Sequence, residues 1–171
     1  MILPIDALSS ALEIVRPNTE WDNSHGDLRR LHAMSSKKKG AIGEVIIDKL
    51  WGDIVKKRNN SDNDRIINGK LIEVKFSSKW ENKTTFKWQQ FRPEQNPDYY
   101  LCLGVFPDNR WFFYTFTSNG IYKHLGVQHG GKKALKTNTY WLDFDPTNPP
   151  AWAKDEFHQD GTAETALKTI V

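Results

Sequence analysis

Asp62-Asn63-Asp64-Arg65-Ile66-Ile67-Asn68-Gly69-Lys70-Leu71-Ile72-Glu73-Val74-Lys75 can be folded from its residues alone. Asn68-Gly69 between Ile67 and Leu71 is a hairpin signal, because a type I′ turn needs positive φ at both central positions and Asn and Gly tolerate it. With that turn, Ile67 faces Lys70, Arg65 faces Ile72, Asp64 faces Glu73 and Asp62 faces Lys75. Strand side chains alternate with period two, so Asp62, Asp64, Glu73 and Lys75 share one face while Ile72, Val74 and Phe76 share the other. The expectation is a core face backed by a charged one. Two opposed carboxylates repel unless a cation lies between them, and a hard ion held by one or two carboxylates is the arrangement Mg²⁺ prefers.

Upstream, Ser35-Ser36 can cap a helix whose expected buried stripe is Ile42, Val45, Ile46 and Leu50. Lys37, Lys38 and Lys39 crowd its first turn, where the helix dipole favours anions. Two readings stand: a phosphate bound among these lysines and the free N–H groups, or a solvated lysine run. Glu44 lies off the apolar stripe and stacks over Asp48 one turn on. Before this helix, 5–15 and 26–34 read as two others, the first closed by Pro17.

Downstream, 77–85 reads as a polar loop beside the charged face. Phe86 to Arg92 fits either a strand, with Phe86, Trp88, Gln90 and Arg92 alternating, or a short helix ending at Pro93. Gln90 and Arg92 are residue types that make bidentate contacts with base edges, or else they bridge neighbouring elements. Tyr99 to Phe106 is a continuous apolar run, as in a strand buried on both faces. Trp111 to Phe116 should return beside it, Thr139 to Asp145 should add another strand, and Thr162 to Ile170 a last helix. Between them His129, Gly130, Gly131, Lys132 and Lys133 form a basic loop, either a DNA contact or a plain turn.

Asp64, eight intervening residues and Glu73-Val74-Lys75, with Glu44 upstream after Lys39-Gly40-Ala41-Ile42-Gly43, resemble the PD-(D/E)XK nuclease superfamily. The order Glu44, Asp64, Glu73, Lys75 is similar to that of type II restriction endonucleases and of the mismatch-repair nicking endonuclease. Asn63 stands where the motif has proline, which keeps Asp62 as a competitor for the role of Asp64. The resemblance implies an α/β fold with a mixed central β-sheet flanked by helices, restriction endonuclease-like, with a catalytic core over about 37–117. It implies Mg²⁺-dependent hydrolysis of DNA phosphodiesters, with one or two ions held by Asp64, Glu73, the Val74 carbonyl and Glu44. Lys75 would orient or help deprotonate the attacking water; since a lysine amine ordinarily titrates at about 10.4, orienting is the easier role.

Composition is compatible with this. The 171 residues suit a single nuclease domain, and a formal charge of +3 suits double-stranded DNA as partner without requiring it. One cysteine, Cys102, excludes an internal disulfide and any multi-cysteine zinc site. No apolar run approaches the roughly 18 residues of a membrane span, and no signal-peptide pattern opens the chain, so a soluble, cytoplasmic protein is expected. The expected activity is that of a site-specific type II restriction endonuclease, with a Holliday-junction resolvase or repair nickase as the alternative and a non-catalytic DNA-binding module as a different class. Cutting both strands would call for a homodimer, nicking one for a monomer.

Overall fold

The hairpin forms as its turn chemistry requires. Asn68 and Gly69 have φ of 50° and 77°, and the flanking register pairs Ile67 with Lys70 and Arg65 with Ile72. The computed structural model describes residues 19–57, 65–80, 83–127, 139–155, 157 and 160–171; the helix expected at 5–15 lies outside them. Helices α1 (Thr19–Asp22), α2 (Gly26–His32) and α3 (Ser36–Leu50) precede strands β1 (Val55–Lys57), β2 (Arg65–Ile67) and β3 (Lys70–Ser78). Strand β4 (Phe86–Phe91) and a 3-10 turn (Pro93–Gln95) come before β5 (Tyr99–Val105) and β6 (Trp111–Thr117). Then follow α4 (Ser118–Ile121), β7 (Gly126–Val127), β8 (Tyr140–Phe144), α5 (Ala151–Asp155) and α6 (Ala163–Lys168).

The larger sheet has the order β1-β2-β3-β5-β6, with β3 and β5 parallel and the other pairs antiparallel. It is a mixed sheet flanked by helices, the fold class expected from the sequence. Ile72 and Val74 of β3, Leu101 and Leu103 of β5, and Phe113 of β6 all point to one face, where Ile47 of α3 and Ala166 of α6 cover them. Thr115 Oγ1 donates to the Ala166 carbonyl at 2.8 Å and fixes α6 there. Strand β5 is buried along almost its whole length, because its opposite face is covered as well.

Burial of β5 on both faces was expected; a second sheet as the cover was not. Strands β4, β8 and β7 form a separate antiparallel sheet, whose Phe86, Trp88, Phe91, Leu142 and Phe144 lie on Tyr100, Cys102, Tyr114 and Phe116. Phe86–Phe91 is therefore a strand rather than a helix, with Arg92 just beyond it, and β3 continues to Ser78 where a loop was expected. Gly104 lets the layers meet: a Cβ there would lie 2.5 Å from the Phe86 ring. The Trp88 indole N–H also donates to the Leu103 carbonyl at 3.0 Å.

Helix α3 corrects the expected stripe. Gly43 and Ile47 are its buried residues, whereas Val45 and Leu50 are 45% and 52% exposed. The reason is Gly43, whose missing side chain lets the helix settle on Phe76, 2.9 Å from where a Cβ would be. That contact turns the helix so that 43 and 47 face inward, a choice a scan for large apolar residues passes over. Among the described residues no helix is long and apolar enough to cross a membrane.

Candidate active site

Glu73, Lys75 and Ser77 are the alternate residues of β3 that face away from α3, as period two dictates. The smaller sheet covers that face over β5 and β6, so these three sit at its margin rather than beneath it. Glu73 and Lys75 are nearly buried, with side chains 10% and 11% exposed, and Lys75 Nζ lies 2.5 Å from Glu73 Oε1. A buried carboxylate needs a positive partner, and the lysine two residues on supplies it. The Phe91 ring, 5.9 Å from Lys75 Nζ, closes the other side.

Ser77 clasps the second sheet to the first. Its hydroxyl donates to the Lys87 carbonyl at 3.1 Å and accepts from the Lys87 N–H at 3.0 Å. Strand β4 is thereby held beside Lys75. Its register with β8 shifts between Trp88 and Phe91, and Gln90 takes a left-handed backbone with φ of 62°. The bulge puts Phe91 in the core in place of Gln90, which corrects the simple alternation read from the sequence. Bulges of this kind re-aim side chains, and here Gln89 and Gln90 both line the cleft beside β3.

Helix α3 forms the opposite wall. Ser35 caps it, its hydroxyl accepting from the Lys38 N–H at 3.5 Å, and its first turn carries no acid. Burial holds the Lys39 ammonium below the usual lysine range. Further along, Glu44 and Asp48 meet Arg65, which faces α3 because it is paired with Ile72 across the hairpin. Arg65 Nε lies 2.5 Å and Nη2 2.9 Å from the two Asp48 oxygens, and Nη1 lies 3.0 Å from Glu44 Oε2. Burial alone would push the Asp48 carboxyl up, but the hydrogen bonds and charge of Arg65, with Lys57, outweigh it and hold the group below the carboxylate range.

Arg65→Met should therefore cost about 2 kcal/mol, below the range for a fully buried pair because Glu44 and Asp48 keep some water. The folded Asp48 value is depressed, so its contribution is complete above the unfolded value near 3.8 and is lost as pH falls through the folded one. The stability gap between wild type and variant, followed by urea melts, should accordingly narrow as the solution is acidified towards and below that value.

These elements enclose a cleft of about 630 Å³ lined by Lys37, Lys39 and Glu44 from α3, by Glu73, Val74 and Lys75 from β3, and by Trp80, Lys87, Gln89 and Gln90. No protein-family model matches the chain, and no curated protein matches it. One solved structure that it resembles is described as that of a bacterial homing endonuclease, I-Ssp6803I. The two share 18% identity with a TM-score of 0.47, over 80% of this chain and 94% of the other. A likeness of that size assigns no function.

Of the residues singled out in the sequence, the structure brings Lys37, Lys39, Glu44, Glu73, Val74, Lys75 and Gln90 to this cleft. Lys38 and Arg92 are exposed and not among its lining residues; the Arg92 carbonyl instead accepts from the Tyr100 hydroxyl at 3.2 Å. Asp62, Asp64, His129, Lys132 and Lys133 lie outside the described residues. Arg65, Trp80, Lys87 and Gln89 were not singled out. Only Arg65 carried a usable signal, since its place opposite Ile72 puts a guanidinium on the core face, where it needs carboxylates.

Glu44 and Glu73 offer hard oxygen donors on facing walls, with the Val74 backbone beside them. This donor chemistry fits Mg²⁺, which takes one or two carboxylates and fills its remaining positions with water and phosphate oxygens. Among the described residues no three His, Cys, Asp or Glu side chains converge.

Proposed function

We propose that the chain is a Mg²⁺-dependent DNA endonuclease of restriction type, cutting double-stranded DNA at specific sites. The observation that carries this reading is the nearly buried Glu73–Lys75 pair, opening into a cleft whose other wall holds Glu44 and cationic Lys37 and Lys39. Glu44 also serves the fold by pairing with Arg65, but phosphodiester hydrolysis has a use for the whole set, a buried Glu–Lys pair facing a second acid and lysines across an open cleft. Glu73, the Val74 carbonyl, Glu44 and Asp64 would hold the ion. When bound, it polarises the phosphate and neutralises charge that develops there.

The chain's own groups do the rest. Lys75, held by Glu73, orients the attacking water and offsets the negative charge of the crowded phosphorus. The attacking water gives up a proton to bulk water as its oxygen bonds to phosphorus, the ester bond to the leaving sugar oxygen breaks, and that oxygen takes a proton from solvent. Lys37 and Lys39, at a helix N-terminus, neutralise flanking phosphates. Gln90 and its neighbour Gln89 line the same cleft and would supply base readout. A homodimer would place two such clefts on opposite strands.

The test is incubation of the purified chain with plasmid and phage DNA in Mg²⁺, in Ca²⁺ and with chelator. Mg²⁺ should give discrete, reproducible fragments and chelator none, while Ca²⁺, with its looser coordination, should allow binding with little turnover. Nicked circles alone would favour a nickase, and cutting confined to four-way junctions a resolvase. Binding without cutting under every condition would remove the nuclease reading and leave a DNA-binding module.

A further inference from the structure

Trp80 is the one aromatic side chain among the large apolar residues left exposed in the described structure; the others are Val45, Leu50, Ile54 and Val171. It lies two residues beyond the end of β3 and lines the same cleft as Glu73 and Lys75. With 45% of its surface exposed, the indole leaves much of its area in water where a buried tryptophan would be expected to cover it. The Lys87 ammonium lies over one face of the Trp80 ring, 5.3 Å from its centre, and over the Trp141 ring as well, which leaves the other face of Trp80 for a ligand. Lys87 is itself held to β3 by the Ser77 clasp, so its backbone position is fixed.

A half-exposed indole with a cation over one face, on the rim of a cleft with further lysines, suits a ligand that is flat and aromatic at one end and anionic at the other. A nucleotide has that chemistry. Bases inside a duplex show only their edges to a protein, and their faces become available only when they leave the stack. Single-stranded nucleic acid is held by this combination of aromatic platforms and cations. We propose that Trp80 is a stacking platform for a nucleobase extruded from the duplex beside the phosphate in the cleft, with Lys87 holding that nucleotide's own phosphate. The proposal rests on the nuclease reading and narrows its substrate to DNA in which one base is unstacked at the site.

Two duplexes of one sequence, alike except that 2-aminopurine is fully paired in one and an unpaired single-base bulge in the other, give the test with the full chain in Ca²⁺. Wild type should bind the bulged duplex roughly tenfold more tightly, the order expected for one stacked base, and should quench its 2-aminopurine fluorescence. Trp80→Ala should lose both the preference for the bulged duplex and the quenching, and Trp80→Phe should keep part of each. Because Trp80 is exposed, matching melting curves for the variants will separate these effects from misfolding. Equal binding of the two duplexes by wild type, or preference and quenching unchanged in Trp80→Ala, would overturn the stacking platform while leaving the nuclease intact. If wild type bound neither duplex and cut no DNA in Mg²⁺, the nuclease reading would fail and the platform with it.

Discussion

Glu73→Gln and Lys75→Met should each lower the rate of DNA cleavage by on the order of 10²–10³-fold or more, with DNA affinity in Ca²⁺ within a few-fold of wild type. Affinity for DNA comes from many phosphate contacts spread over the surface, so one side chain contributes little to it. Transition-state stabilisation is concentrated instead in the groups next to the reacting phosphorus. Glutamine keeps the shape of Glu73 and removes its charge, which weakens any cation site and leaves Lys75 with a neutral acceptor. Methionine at 75 keeps the stem and removes the ammonium. Both positions are about nine-tenths buried, so melting curves must accompany the assay, with single-turnover nicking of plasmid read against binding by filter retention. Equal loss of cutting and binding, at unchanged stability, would show that the pair is structural.

The hairpin that carries this pair was legible because its information is local. Asn68 and Gly69 specify the turn, the turn specifies the register, and the register specifies which face each residue of β3 occupies. The same parity put Arg65 on the core face beside Ile72. Its carboxylate partners followed only when α3 was placed, since the spacing of Glu44 and Asp48 marks them as neighbours without saying what they touch. Less local features were lost. The pairing of β4 with β8 joins Phe86 to Phe144 across most of the sheet's sequence, and no turn announces it. The bulge at Gln90 breaks the alternation that a strand assignment relies on, and so hid Gln89. Two close contacts, α3 on Phe76 and Phe86 on β5, are made through Gly43 and Gly104, where the decisive feature is a missing side chain. A scan weighted by apolar bulk looks for the opposite.

Gly104→Ala tests the second of these contacts and with it the link between the two sheets. Its new Cβ would lie 2.5 and 2.6 Å from Phe86 ring atoms and 3.1 Å from the Ser77 carbonyl oxygen, so something must move. Phe86 has no exposed surface and lies between Phe106 and Trp88, with ring centres 4.8 and 5.6 Å away. The ring has little room to yield, so β4 itself must lift. Overpacking of this kind should cost roughly 3 kcal/mol, which for a chain of this length is a fall in Tm of about 6–12 °C. Strand β4 carries Lys87, Gln89 and Gln90 to the cleft, so cleavage assayed well below the melting point should fall too. Gly40→Ala supplies the opposite sign. It lies inside α3, with nothing within 4 Å of a Cβ added there, and alanine should stabilise the helix by about 0.4–1 kcal/mol. Differential scanning calorimetry of the two variants would read both shifts. A Gly104→Ala protein that melted with wild type would mean that Phe86 does not seat on β5, and that this contact does not hold the second sheet, with its Gln89 and Gln90, at the cleft.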